Sequence, residues 1–121
     1  SKMDIAEIFG KRITSLRNER GLSSEELSEM ISLSEKTIIK LESGQRNPTV
    51  PEVAVFGRFF NVSFDYLLGK SEDRIAKDFI EEAGGNRRLA SILQLMRSLS
   101  KEEAEAVLQK LLTMDLTSPE K

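Results

Sequence analysis

The stretch from Ser23 to Ser43, SSEELSEMISLSEKTIIKLES, constrains this chain more than any other. It contains two short helical patterns joined by a tight connection. Ser23 stands three residues before Glu26, a spacing that lets the Ser hydroxyl cap one free helix N–H while the Glu reaches back to another. Leu27, Met30 and Ile31 then recur at helical spacing and predict one apolar stripe. Ser34 is placed to cap the second pattern, in which Ile38 and Leu41 supply only a thin buried face. On the opposite face Glu35, Lys36, Ile39 and Lys40 fall close together, and the core needs none of them.

The flanking sequence extends the helical reading. A first helix is predicted over residues 4–20, with Ile5, Ile8, Phe9, Ile13 and Leu16 facing a core and Gly21 as its stop. Thr49 and Glu52 form another capping box, and Pro51 is acceptable in a first turn. Val53, Phe56, Phe59 and Phe60 follow as bulky core residues. Ser63 can cap a short FDYLL helix that Gly69 ends.

A helix that buries little and projects a long polar face suits insertion into a groove, and the major groove of B-DNA admits an α-helix. In line with this, residues 9–69 resemble the phage repressor and Cro-type helix-turn-helix family, also called XRE. The resemblance rests on an ordered set of landmarks: RITSLRNERGLS, EELSEM, the pattern S-x-x-T-I-x-K-L-E-x-G, RNP and NVSFDYLLG. It implies an all-α fold with a five-helix helix-turn-helix domain over residues 1–69, to which the helical patterns of residues 70–121 add a C-terminal helical extension. It also implies double-stranded DNA as partner, with Glu35, Lys36 and Lys40 at base-contacting positions. Ile39, exposed on the same face, could meet a thymine methyl, and Lys and Glu suit guanine acceptors and the cytosine amino group respectively.

The resemblance further assigns the sugar-phosphate backbone to Ser23, Ser24, Thr37, Ser43, Gln45, Arg46 and Asn47, contacts that position without reading sequence. It pairs Arg17 with Glu42 to brace the first helix against the reading helix. The family usually has Gly in the turn between the two motif helices, in a left-handed conformation. Ser32 stands there in this chain, so a strain of about 1 kcal/mol is expected. Related domains often dimerise near the last helix, where Val62, Phe64 and Tyr66 are candidates.

Residues 70–121 lie beyond the resemblance and carry three amphipathic segments. Ile75, Phe79 and Ile80 mark the first, which stops at Gly84-Gly85. Asn86 can cap the second, striped by Leu89, Ile92, Leu93, Met96 and Leu99. Ser100 and Glu103 box the third, with Ala104, Val107, Leu108, Leu111 and Leu112 on one face. Each stripe must be buried against something. Leu89, Ile92, Leu93, Met96, Val107, Leu108, Leu111 and Leu112 are therefore the candidates for a homodimer interface, with an intramolecular cap as the alternative. The tail TSPEK reads as disordered.

Composition removes whole classes of chemistry. The 121 residues contain no Cys and no His, which excludes disulfides, Cys/His zinc sites and His- or Cys-dependent catalysis. The paired glutamates at 25–26, 81–82 and 102–103 diverge by about 100° on a helix rather than converging. No phosphate loop or metal cluster is visible, so no enzyme and no cofactor is expected. No membrane span or secretory signal stands out, which points to the cytoplasm. The net charge of −2, and −1 over residues 1–69, requires any DNA-binding cations to segregate onto one face. The leading expectation is a sequence-specific regulator, most simply a repressor bound as a dimer to a near-palindromic operator. The alternative is an antitoxin-like interaction module in which the C-terminal helices bind a regulatory protein partner.

Overall fold

Side-chain caps start almost every helix of this chain. Asp4, Ser23, Ser34, Thr49, Ser63, Asn86 and Ser100 each accept a hydrogen bond from a backbone N–H three residues on. Each such cap contributes about 1 kcal/mol. In the computed structural model, which describes residues 3–114, they open α1 (Ile5–Glu19), α2 (Ser24–Met30), α3 (Glu35–Glu42), α4 (Val50–Phe60), α5 (Phe64–Leu67), α7 (Arg87–Met96) and α8 (Lys101–Leu111). Between α5 and α7, α6 (Lys77–Glu82) begins without a side-chain cap. The architecture is all-α, and the expected capping boxes at Ser23–Glu26, Thr49–Glu52 and Ser100–Glu103 are present. The TSPEK tail lies outside the described residues. Among those described, no helix is long and apolar enough to cross a membrane.

The chain forms two compact units, Ser1–Arg74 and Ile75–Lys121. The core of the first unit draws on all five of its helices. Phe9, Ile13 and Leu16 of α1 meet Leu27 of α2, Ile38 and Leu41 of α3, Val53, Phe56 and Phe60 of α4, and Leu67 of α5. The Phe9 and Phe56 rings meet edge-on with centroids 5.6 Å apart. Several expected core positions differ. Ile5 and Met30 are exposed, and Ala6 is buried in the first turn of α1 instead. Ile8 is only half-buried.

The first unit runs past Gly69 to Arg74. Arginines hold that extra segment. Arg12 donates to the carbonyls of Tyr66 and Ser71 and pairs with Glu72, while its guanidinium lies 4.2 Å from the Tyr66 ring centroid. Arg74 makes a two-pronged bridge to Glu19 at 2.9 and 2.7 Å. The Ser63 N–H and hydroxyl donate to the carbonyls of Arg74 and Asp73.

A second arginine clamp shapes the connection between α3 and α4. Arg46 donates through both terminal nitrogens to Glu52, each at 2.8 Å, and Glu52 also accepts from the Thr49 N–H. The Arg46 hydrogen bonds outweigh burial and, with the Thr49 bonds, pull the Glu52 carboxyl from an ordinary 4.5 to about 2.

The second unit pairs α6 with α7. Gly84 and Gly85, both with positive φ, turn the chain between them. Gln94 is buried, and its Oε1 accepts from the Ala76 N–H at 2.6 Å, which supplies the tie that α6 lacks in a capping side chain. Ala90 is also fully buried, while the expected stripe residues Leu89, Ile92, Leu93 and Met96 are half-buried. In α8 no residue is buried; Ala104, Val107 and Leu111 are half-buried, and Leu108 and Leu112 are exposed.

The backbones of α1 and α3 approach closely at Gly10, where an added Cβ would lie 2.6 Å from the carbonyl oxygens of Leu41 and Glu42. Helix propensity favours Ala over Gly by about 1 kcal/mol, but forcing two helix backbones apart costs more. Gly10→Ala is therefore expected to lower stability by about 2 kcal/mol, read as a fall of roughly 10 °C in thermal melting. Gly21→Ala, with φ of 66° but open space around it, should cost only about 1 kcal/mol.

Acid titration should expose the Glu52 clamp. A carboxyl depressed in the fold stabilises fully above its unfolded pKa and loses that contribution as pH falls toward its folded value. The stability advantage of the native chain over Glu52→Gln should thus be constant near neutrality and shrink between about pH 4.5 and 2. The electrostatic part is at most about 3 kcal/mol. A difference that stays level through that window in denaturant titrations would show the clamp to be energetically idle.

Candidate nucleic-acid interface

The α2–α3 pair is held together by apolar contacts on one side and polar ties on the other. Leu27, Ile38 and Leu41 are fully buried, with Ile31 and Leu33 packed against them. Ile31 caps α2 in an extended conformation, with φ of −125° and ψ of 165°. The left-handed turn expected at Ser32 does not occur. Asn61, which ends α4, is the non-glycine residue of the described chain that takes a positive φ. The extended Ile31 redirects the backbone between the helices, so Ser32 carries no left-handed strain.

The anchoring of α3 follows directly. Arg17 Nε donates to Glu42 Oε2 at 2.7 Å and Nη2 to Oε1 at 2.8 Å, a two-pronged contact between α1 and α3. Arg17 also donates to the Leu22 carbonyl at 2.8 Å, tying the α1–α2 connection to the same group. The Glu42 hydrogen bonds outweigh burial and raise the Arg17 pKa further. Both side chains are mostly covered, so the pair is better shielded than a surface ion pair.

With Ile38 and Leu41 turned inward, the outer face of α3 presents Glu35, Lys36, Ile39 and Lys40, all exposed. Ile39 is half uncovered, an isolated large apolar side chain among charges. Among the described residues no ion pair engages Lys36 or Lys40. Glu35 differs from these two, because the Ser24 hydroxyl donates to its carboxylate at 3.2 Å. That tie joins a residue expected on the phosphates to one expected on the bases, and sequence spacing alone did not reveal it.

The remaining expected backbone contacts surround this face. Ser23 exchanges both capping-box bonds with Glu26, whose carboxyl is lowered by the Ser23 N–H. Thr37 accepts from the Ser34 hydroxyl at 3.0 Å. Ser43 ends α3 with its hydroxyl on the Lys40 carbonyl, Gly44 follows with φ of 71°, and Gln45 and Asn47 are exposed. Arg46 differs in being committed to Glu52. The sequence marked Glu52 as a capping residue only; the six-residue separation from Arg46 across a proline-containing loop has no helical signature.

A helix-turn-helix family model matches residues 13–67. The chain is 28% identical to the cryptic phage CTXphi transcriptional repressor RstR of Vibrio cholerae over 100 residues, covering 83% of this chain and 81% of RstR. It is 35% identical to the control protein C.SmaI of Serratia marcescens over 66 residues, 54% of this chain and 79% of that protein. The regulator ImmR of Bacillus subtilis is 32% identical over 64 residues, 53% of this chain, and there the match spans half of the relative's length. No solved structure matches the chain significantly. The five helices of the first unit, the Arg17–Glu42 brace and these matches place the chain in the phage repressor and Cro-type (XRE) family of helix-turn-helix transcriptional regulators.

Proposed function

We propose that two copies of this chain bind a near-palindromic operator, each laying α3 in the major groove, and repress transcription by occupying the promoter. The observation that carries the reading is the division of α3 into a fully buried seam, Ile38 and Leu41, and an outer face where Lys36 and Lys40 form no ion pair among the described residues. Lysine donors reach guanine O6 and N7, Glu35 accepts from a cytosine amino group, and Ile39 packs on a thymine methyl. Ser23, Ser24, Thr37, Ser43, Gln45 and Asn47 flank that face and would set its register on the phosphates. The repressor name of RstR, matched over most of both chains, favours repression over activation.

The dimer is supported by the apolar surface of the second unit. Leu108 and Leu112 on α8 are exposed, as are Leu95 and Met114. A second copy that covers this stripe, together with Val107, Leu111 and the half-buried Leu89, Ile92, Leu93 and Met96, gives a paired reading unit. Two such units address major grooves about 34 Å apart. The same stripe fits a different protein partner, the antitoxin-like alternative.

Two measurements test these readings. Replacing Lys36 and Lys40 with Ala should leave melting and oligomeric state unchanged while removing about 1–3 kcal/mol of base discrimination per contact, measured by anisotropy on selected against scrambled duplexes. Unchanged preference in the folded double variant would move the reading surface away from α3. Replacing Leu108 and Leu112 with Glu should shift sedimentation from two copies to one and weaken operator binding by tenfold or more. A native chain that sediments as a monomer and is recovered with a different protein would instead support the interaction module.

A further inference from the structure

The arginines of the first unit are largely spoken for by neighbours: Arg12 by Glu72, Arg17 by Glu42, Arg74 by Glu19 and Arg46 by Glu52. The first three tie parts of the helical scaffold together. Arg46 is different, because it sits in the loop after the reading helix, where the proposed DNA complex runs its sugar-phosphate chain. We propose that Glu52 acts as an internal substitute for phosphate, holding Arg46 off the DNA backbone and so limiting the sequence-independent part of binding. The inference rests on the DNA-binding reading above and goes beyond it in assigning Glu52 and Arg46 opposing roles.

The geometry is that of phosphate recognition turned inward. A guanidinium fork meets two anionic oxygens side by side, as it would meet two oxygens of a phosphate. Both terminal nitrogens are occupied at 2.8 Å, and Nη1 also donates to the Asn47 carbonyl at 3.1 Å. Glu52 cannot follow Arg46 outward. Its side chain is mostly covered and accepts from the Thr49 N–H at 2.8 Å, within the capping box that starts α4. Moving Arg46 to a phosphate would therefore strand a covered carboxylate, a strongly unfavourable exchange. DNA itself would gain little to offset it, because one anion replaces another around the same cation.

The consequence lies in the salt dependence. Each phosphate neutralised contributes about −0.9 to the slope of log affinity against log salt. With Arg46 withheld, the native chain should show a slope that owes nothing to this residue. Gln at position 52 keeps an acceptor for the Thr49 N–H but removes the charge that detains Arg46.

The test measures affinity of the full chain for a random-sequence duplex by anisotropy across a salt series, with circular dichroism melts to establish folding. Glu52→Gln should bind several-fold to tenfold more tightly at low salt, with a slope steeper by about 0.9. Arg46→Ala alone should leave the native slope unchanged, and adding it to Glu52→Gln should abolish the gain. A slope already reduced by Arg46→Ala alone would overturn the proposal, since Arg46 would then be on phosphate in the native complex. Survival of the gain in the double variant would also overturn it, by reducing Glu52 to a general charge effect. The double variant leaves neither partner charged, so it decides the question should a single variant fail to fold: a slope equal to the native one is expected, and a shallower slope would overturn the proposal. A native chain with no affinity for any duplex at low salt would overturn the DNA-binding reading itself, an outcome distinct from binding with the wrong slope pattern.

Discussion

The placement of α3 against α1 is the constraint on which the rest of the first unit depends. An eight-residue helix that buries only Ile38 and Leu41 has too little apolar contact to fix its own orientation. Rotation about that narrow seam would carry the outer face away from any groove. Two features remove the freedom. Gly10 lets the α1 backbone touch the carbonyls of Leu41 and Glu42, and the two-pronged Arg17–Glu42 bridge sets the angle at the same end of α3. Together they explain how a helix can give most of its perimeter to solvent and still present a defined surface.

An acidic domain that binds a polyanion must manage its charge by location. Over residues 1–69 carboxylates outnumber cations, yet they are not spread evenly in effect. Glu42 and Glu52 neutralise arginines, Glu26 is turned back on the Ser23 N–H, and Glu35 is tied to Ser24. Among the described residues Lys36 and Lys40 of the α3 face are left outside these ion pairs, although the unit as a whole is negative. Flexible lysines rather than preorganised arginines on this face mean that geometry comes from the helix and not from the side chains.

What could be read from sequence divides along the range of the interaction responsible. Caps are local: Ser23, Thr49, Asn86 and Ser100 declare themselves with their N–H partners three residues on, and the helices they start were legible with them. The exposed face of α3 was legible because a helix sorts faces by a fixed angle. Ile5 and Met30 misled for the opposite reason, since apolar spacing predicts a face but the neighbouring elements decide how far that face is covered. Ser32 misled because an extended Ile31 solved the turn without a left-handed residue. Gly10, Arg12 and the Glu52–Arg46 clamp were silent, as each acts only through residues brought together by the tertiary fold.

The two units differ in how far they satisfy themselves. The first closes a core of aromatic and aliphatic side chains drawn from five helices, while the second buries only Ala90 and Gln94 among its described residues. A buried glutamine that must hold the start of α6 is a polar tie doing what apolar packing does elsewhere, and it fixes geometry more than it adds stability. In α8 a sound capping box starts a helix whose apolar stripe is left partly in water, with Leu112 about four-fifths exposed. A helix with a strong start and an uncovered face gains most of its stability from whatever covers that face. In the proposed dimer, the order of the second unit and the pairing of the two reading helices would therefore be one equilibrium. Operator occupancy would then respond to chain concentration more steeply than a preassembled dimer allows.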